Sequence, residues 1–202
     1  IGQKKPFIPI NHLEGHLLSP TYNNNINFPY ISFLLTGGHT QIYLIKSINS
    51  YELLGETIDD AIGEAFDKVA KLIGLPYPGG PFLEEKALKG NIEAFKLPQP
   101  MSDKKNLNFS FSGIKTAVNL IVQKNEKIKR EDIFISNVSA SFQNTVTKIL
   151  KNKIDIVLNQ LAKRNILINQ ISLVGGVASN KYILNEITNK VKKNNINIIM
   201  PP

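Results

Sequence analysis

The chain has 202 residues, 42% hydrophobic and 20% charged, with 24 Lys and Arg against 16 Asp and Glu for a formal charge of +8. That length suits one domain or two small lobes with a sizeable core. No run of 18 apolar residues marks a membrane span, and a chain without cysteine has no disulfide, thiolate metal ligand or cysteine nucleophile. The positive balance points either to a polyanionic partner or to a bias toward Lys, Asn and Ile. The opening IGQKKPFIPI has no initiating Met and no signal-peptide pattern, and the chain stops at Pro201-Pro202 just after a strand. Both ends suggest an excerpt of a longer protein.

Taken in order, Asn11-His-Leu-Glu-Gly-His16 reads as a short helix with Asn11 as its N-cap. Residues 31–46, ISFLLTGGHTQIYLIK, read as strand, tight Gly-Gly turn and strand. Residues 58–74 read as an amphipathic helix with Ile62, Ala65, Phe66, Val69 and Leu72 or Ile73 as its apolar stripe. A Pro/Gly turn is expected at 75–81, and 82–130 is mixed, with FSFSG at 109–113. Residues 131–164 read as one long helix or two short ones. ISLVGG at 171–176 reads as a buried strand entering a glycine turn, then a helix from Asn180 and a strand at 195–200. Strands alternating with helices predict an α/β layer fold.

Four patterns carry candidate chemistry. His12 and His16 stand at i and i+4 on one helix face, so two imidazoles could meet one metal ion, or simply be solvated. Glu14, two residues from each, falls about 200° around the helix. The order therefore differs from the HExxH of zinc peptidases. Thr36-Gly37-Gly38-His39-Thr40 is either a hairpin turn or an anion nest. Gly175-Gly176 leads into a helix that Ser179 or Asn180 would cap, and whose N-terminus favours a phosphate. Neither glycine motif is a Walker loop or a full GxGxxG. Asp60, Glu64 and Asp67 fall at i, i+4 and i+7. They form either a solvated acidic face or a ligand-facing row, eased by Lys68 and Lys71.

Each motif is short, but their order is specific. NHLEGH, LLTGGHTQ, YELLGETIDDAIGEAFDKVAKLIGLPYPGGP, FSFSGIKT and LVGGVASN together closely resemble the bacterial TsaD family of tRNA N6-adenosine threonylcarbamoyltransferases. The resemblance covers essentially the whole chain. It implies the two-lobed actin, Hsp70 and sugar-kinase fold, a mixed sheet flanked by helices. Residues 1–30 would then close the first lobe and 31–202 form the second, without the N-terminal lobe and the C-terminal segment.

By resemblance, His12 and His16 are metal ligands, and the third ligand is an Asp beyond Pro202. The cofactor is one divalent ion, iron ahead of zinc. Leu34, Leu35, Thr36, Gly37 and Gly38 match a substrate-binding segment; the family more often has Val-Ser where this chain has Leu35-Thr36. Asp67 and Gly80 match contacts to the ribose and adenine of the adenylate, and Asn180 a further nucleotide contact. The implied reaction moves threonylcarbamoyl from threonylcarbamoyl-AMP to N6 of adenosine 37 in tRNAs reading ANN codons. No residue stands out as its acid or base. Partners would be tRNA and TsaB- and TsaE-type proteins, in the cytoplasm and off the membrane. Two rivals are a non-catalytic, partner-binding remnant and a small-molecule kinase of the same superfold.

Overall fold

The computed structural model describes residues 6–7, 9–22, 24–103 and 105–201. Five strands form one mixed sheet: β1 (Tyr30–Leu35), β2 (Thr40–Ser47), β3 (Ser50–Glu56), β4 (Gln170–Val174) and β5 (Asn197–Ile199). Their order is β3-β2-β1-β4-β5. β1, β2 and β3 form an antiparallel meander, whereas β4 runs parallel to β1 and β5 parallel to β4. Six helices complete the fold: α1 (His12–Leu18), α2 (Ile62–Leu72), α3 (Gly79–Ala87), α4 (Ser112–Lys124), α5 (Asp132–Lys163) and α6 (Lys181–Lys192).

The alternation of β1 sets the two layers. Ile31, Phe33 and Leu35 point into a large core that draws residues from α2 through α6. Tyr30 and Leu34 point the other way, into a small cluster with Leu17 of α1, Tyr43, Ile45, Val174 and Ile199. A strand buried on both faces reads as a near-continuous apolar run, and β1 does, broken only by Ser32, whose hydroxyl pairs with that of Ser172 on β4. The stripe expected on α2 is the stripe buried: Ile62, Ala65, Phe66, Val69 and Ile73.

Here one alternative left open by the sequence is settled and two expectations are corrected. The segment 131–164 is a single 32-residue helix, α5. β3 was not expected, because its side chains are largely exposed at a sheet edge. The Pro/Gly turn ends at Pro78, and Gly79-Gly80-Pro81 form the first turn of α3. Pro is at home there, since first-turn N–H groups have no intrahelical acceptor.

The FSFSG segment is tied to the start of α2 through Asp59. Its carboxylate accepts from the hydroxyls of Ser110 (2.6 Å) and Ser112 (2.7 Å) and from the Phe111 N–H (2.8 Å). Burial alone would raise the Asp59 carboxyl, but these hydrogen bonds outweigh it and hold the group below its ordinary value. Fully buried Lys153 of α5 donates to the carbonyls of Met101 and Asn106, upstream of that segment, and ties these two residues to the helix.

Candidate functional site

β1 and β4 are parallel, and both stop at the same edge of the sheet, where a ligand is expected in an α/β fold. β1 runs into Thr36-Gly37-Gly38 and β4 into Gly175-Gly176. These turns lie against one another. A Cβ on Gly175, whose φ is 98°, would fall 2.5 Å from the Leu35 carbonyl oxygen. A Cβ on Gly63, in the first turn of α2, would fall 2.8 Å from the Gly37 Cα. Only glycine permits such backbone contact.

Above this floor opens a cleft of about 340 Å³. Gly37, Gly63, Phe66 and Asp67 line one side, Gly80 and Glu84 of α3 another, and Gly176, Ser179 and Asn180 a third. A Cβ added at Gly37, Gly80 or Gly176 would meet no protein atom within 4 Å, so the space before these three backbones is open. Asp67 accepts from the Gly79 N–H at 2.7 Å through one oxygen. That bond fixes the carboxylate and docks the start of α3.

The structure brings together four of the residues expected from sequence: Gly37, Asp67, Gly80 and Asn180. Leu34 and Leu35 are fully buried in the two cores, so only their backbone could serve a ligand. Thr36 Oγ1 accepts from the N–H of His39 at 2.9 Å and stiffens its own turn. Gly38 is exposed beside the cleft lining rather than in it. Asn180 does cap α6, accepting from the Ile183 N–H, while its amide donates to Gln143 at 2.8 Å. The N-terminus of α6 is already served, because Glu84 accepts from the Lys181 N–H at 2.7 Å. A phosphate would therefore meet the Gly175-Gly176 turn rather than the helix end itself.

The acidic row dissolves. Asp60 precedes α2 and joins Glu64 on Lys68, at 2.6 and 2.9 Å, while Asp67 turns to Gly79. Phe66 and Glu84 were missed as cleft residues. Glu84 stands four residues after Gly80, on the same helix face, a signal visible only once α3 is known to begin at Gly79.

On the opposite sheet face, Asn11 caps α1 by accepting from the N–H groups of Leu13 and Glu14. The His12 and His16 rings stand 4.8 Å apart between centroids and 88° to each other, flanking a shallow groove with Ile10, Asn11 and Gly15. Partial burial first, then the neighbouring Glu14 carboxylate, push the Tyr51 phenol up. Two imidazoles on one helix face are a sound donor set for a divalent metal. Among the described residues no third His, Cys, Asp or Glu joins them. No described helix is long and apolar enough to cross a membrane.

Comparisons with known proteins follow this geometry. A full-length HypF, solved with phosphate and nucleotide bound, superposes over 98% of this chain and 40% of its own length, with TM-score 0.67 and 16% identity. The activator of 2-hydroxyisocaproyl-CoA dehydratase from Clostridium difficile covers 93% of this chain and 59% of its own, with TM-score 0.50 and 17% identity. Both establish fold alone: a mixed-sheet lobe of the actin-like kind. Among relatives, the tRNA N6-adenosine threonylcarbamoyltransferase of Pelagibacter ubique is 45% identical over 199 residues, and that of Wolbachia pipientis 43%. Each match covers 98% of this chain but only 55% and 58% of the relative's length. The model of one family, described as "TsaD: tRNA N6-adenosine threonylcarbamoyltransferase", matches residues 1–202. The chain belongs to the TsaD family.

Proposed function

We propose that the protein containing this chain transfers a threonylcarbamoyl group from threonylcarbamoyl-AMP to N6 of adenosine 37 in tRNAs reading ANN codons. One observation carries this reading. Gly37, Asp67, Gly80 and Asn180, far apart in sequence, line a single cleft at the carboxyl edge of parallel strands. Asp67, held by Gly79 through one oxygen, offers the other to the ribose hydroxyls. Phe66 supplies an apolar wall for the base. The Gly37 and Gly176 backbones can approach the phosphate closely, where charge develops as AMP leaves. The N6–C bond forms as the C–O bond to the phosphate breaks, AMP leaves, and the amine gives up one proton to solvent.

His12 and His16 would hold one divalent ion, iron ahead of zinc, with an Asp from beyond Pro202 as third ligand. Such an ion supplies a Lewis acid that polarises the carbamoyl oxygen. Residues 1–30 would close a first lobe and 31–202 form the second, working with TsaB- and TsaE-type proteins in the cytoplasm. The test is reconstitution of the full-length protein with those partners, threonylcarbamoyl-AMP and unmodified tRNA, followed by nucleoside mass spectrometry. Modified adenosine should appear, and His12→Ala with His16→Ala should remove both the product and the metal measured by elemental analysis. Failure of the wild type to form product would overturn the reading. A full-length protein that takes up no metal either would be a non-catalytic, partner-binding scaffold.

A further inference from the structure

The two sides of α2 differ in chemistry. Phe66 and Asp67 face the cleft. Lys68, Lys71 and Leu72 line a separate groove against Lys115, Thr116 and Asn119 of α4, about 680 Å³ in volume. Every polar side chain lining that groove can donate a hydrogen bond, and none is an acid. Asp60 and Glu64 reach Lys68 from its flank and together more than offset its charge, which leaves the groove's positive charge to its other lysines. Lys71 and Lys115 are in no ion pair among the described residues, and neither is Arg130. The Arg130 guanidinium lies against Gly74, 2.9 Å from where a Cβ there would stand, and Gly74 follows Lys71 by one turn. Lys71 and Lys115 therefore line one groove without an acid partner, and Arg130 lies against Gly74, just past the end of α2. In the groove between α5 and α6 two of the three lysines, Lys151 and Lys190, are paired with Glu186 and Asp155, and only Lys193 is in no ion pair among the described residues.

We infer that the α2–α4 groove is where the phosphate backbone of the RNA substrate docks. Uncompensated Lys and Arg release counterions when they meet phosphates, and hydroxyl and amide donors add position without reading sequence. The groove and the cleft share α2, so an RNA strand anchored on Lys71 and Lys115 runs along the helix that carries Asp67. This rests on the transferase reading and adds a place for the larger substrate.

The test uses the full-length protein with its partners and unmodified tRNA. Lys71→Gln, Lys115→Gln and Arg130→Gln are combined in one variant. Lys148→Gln, Lys192→Gln and Lys193→Gln, on α5, α6 and the residue after α6, form a control that removes the same charge. At about 50 mM salt the groove variant should bind tRNA at least about 10-fold more weakly, and its slope of log K against log salt should fall by about 2 to 3, from ~0.9 per phosphate contact. The control should stay within about twofold of wild type, and affinity for AMP should not change in either. If the triple variant melts early, Lys115→Gln alone should reduce the slope by about 1. Wild-type protein that modifies tRNA while groove variant and control bind alike would overturn the docking site alone. Wild-type protein that modifies no tRNA would bring down the transferase reading and this inference with it.

Discussion

The two faces of the sheet hold the two halves of the proposed site on unequal foundations. The cleft stands on the large core, to which α2 through α6 all contribute. The histidine pair stands on α1, a seven-residue helix that gives the opposite cluster one buried side chain, Leu17, and a carbonyl to the Tyr30 hydroxyl at 2.9 Å. A helix that short has no stability of its own in water. The cleft therefore inherits the stability of the whole domain, whereas the spacing of His12 and His16 depends on local packing that can open by itself.

Phe142→Ala should break the difference from the side of the large core. Phe142 is fully buried and meets Phe66 edge-to-face at 5.0 Å. Its loss should cost about 3–5 kcal/mol and lower Tm by roughly 10 °C in a scanning calorimeter. Leu17→Ala probes the other side and should cost about 2 kcal/mol. Its mark should be faster amide exchange across α1 while α2 and α5 keep their protection; equal loss everywhere would refute the separation. Asp67→Asn keeps the acceptor for the Gly79 N–H but removes the charge offered to the ligand. AMP affinity, measured by calorimetry, should fall about 10-fold, roughly 1.4 kcal/mol, with Tm unchanged.

The smallest effect is a pH dependence. Glu52 on β3 is held at about 2 by hydrogen bonds from Arg164 and Lys46. A carboxyl depressed in the folded state stabilises above its unfolded value and loses that contribution as pH falls through the folded one. Stability of the wild type relative to Glu52→Gln should be constant from neutral pH down to about 4.5, the ordinary value, and shrink to nothing near 2. Solvent screening of this exposed cluster keeps the difference small.

Helical periodicity made α2 legible, because each apolar position at that spacing is buried. β1 and β4 were legible as apolar runs ending in glycine, and β2 as the β-branched and aromatic run that follows the first glycine turn. α3 was hidden because Gly-Gly-Pro reads as a turn, and its role as a cleft wall was hidden with it, including Glu84. The residue patterns offered Asn180 as a cap and Asp67 as one of a row of acids, but their roles as nucleotide contacts came only from motif order, since an Asp on an amphipathic helix reads equally well as solvated. Lys153 defied reading altogether: a lysine in a long helix suggests surface, yet this one is buried to complete the backbone hydrogen bonding of a distant loop.

The contacts of Gly63 and Gly175 have a mechanical consequence. Backbone presses on backbone at these positions, joined at Gly175 by the short Thr36 methyl, with no long side chain between to change rotamer and absorb a displacement. The first turn of α2 and the turns after β1 and β4 must then move as a single stiff plate. Any breathing of the cleft that admits or releases a ligand must then carry α3 as a unit, against the Asp67–Gly79 hydrogen bond and the close approach of Gly79 to Ala70.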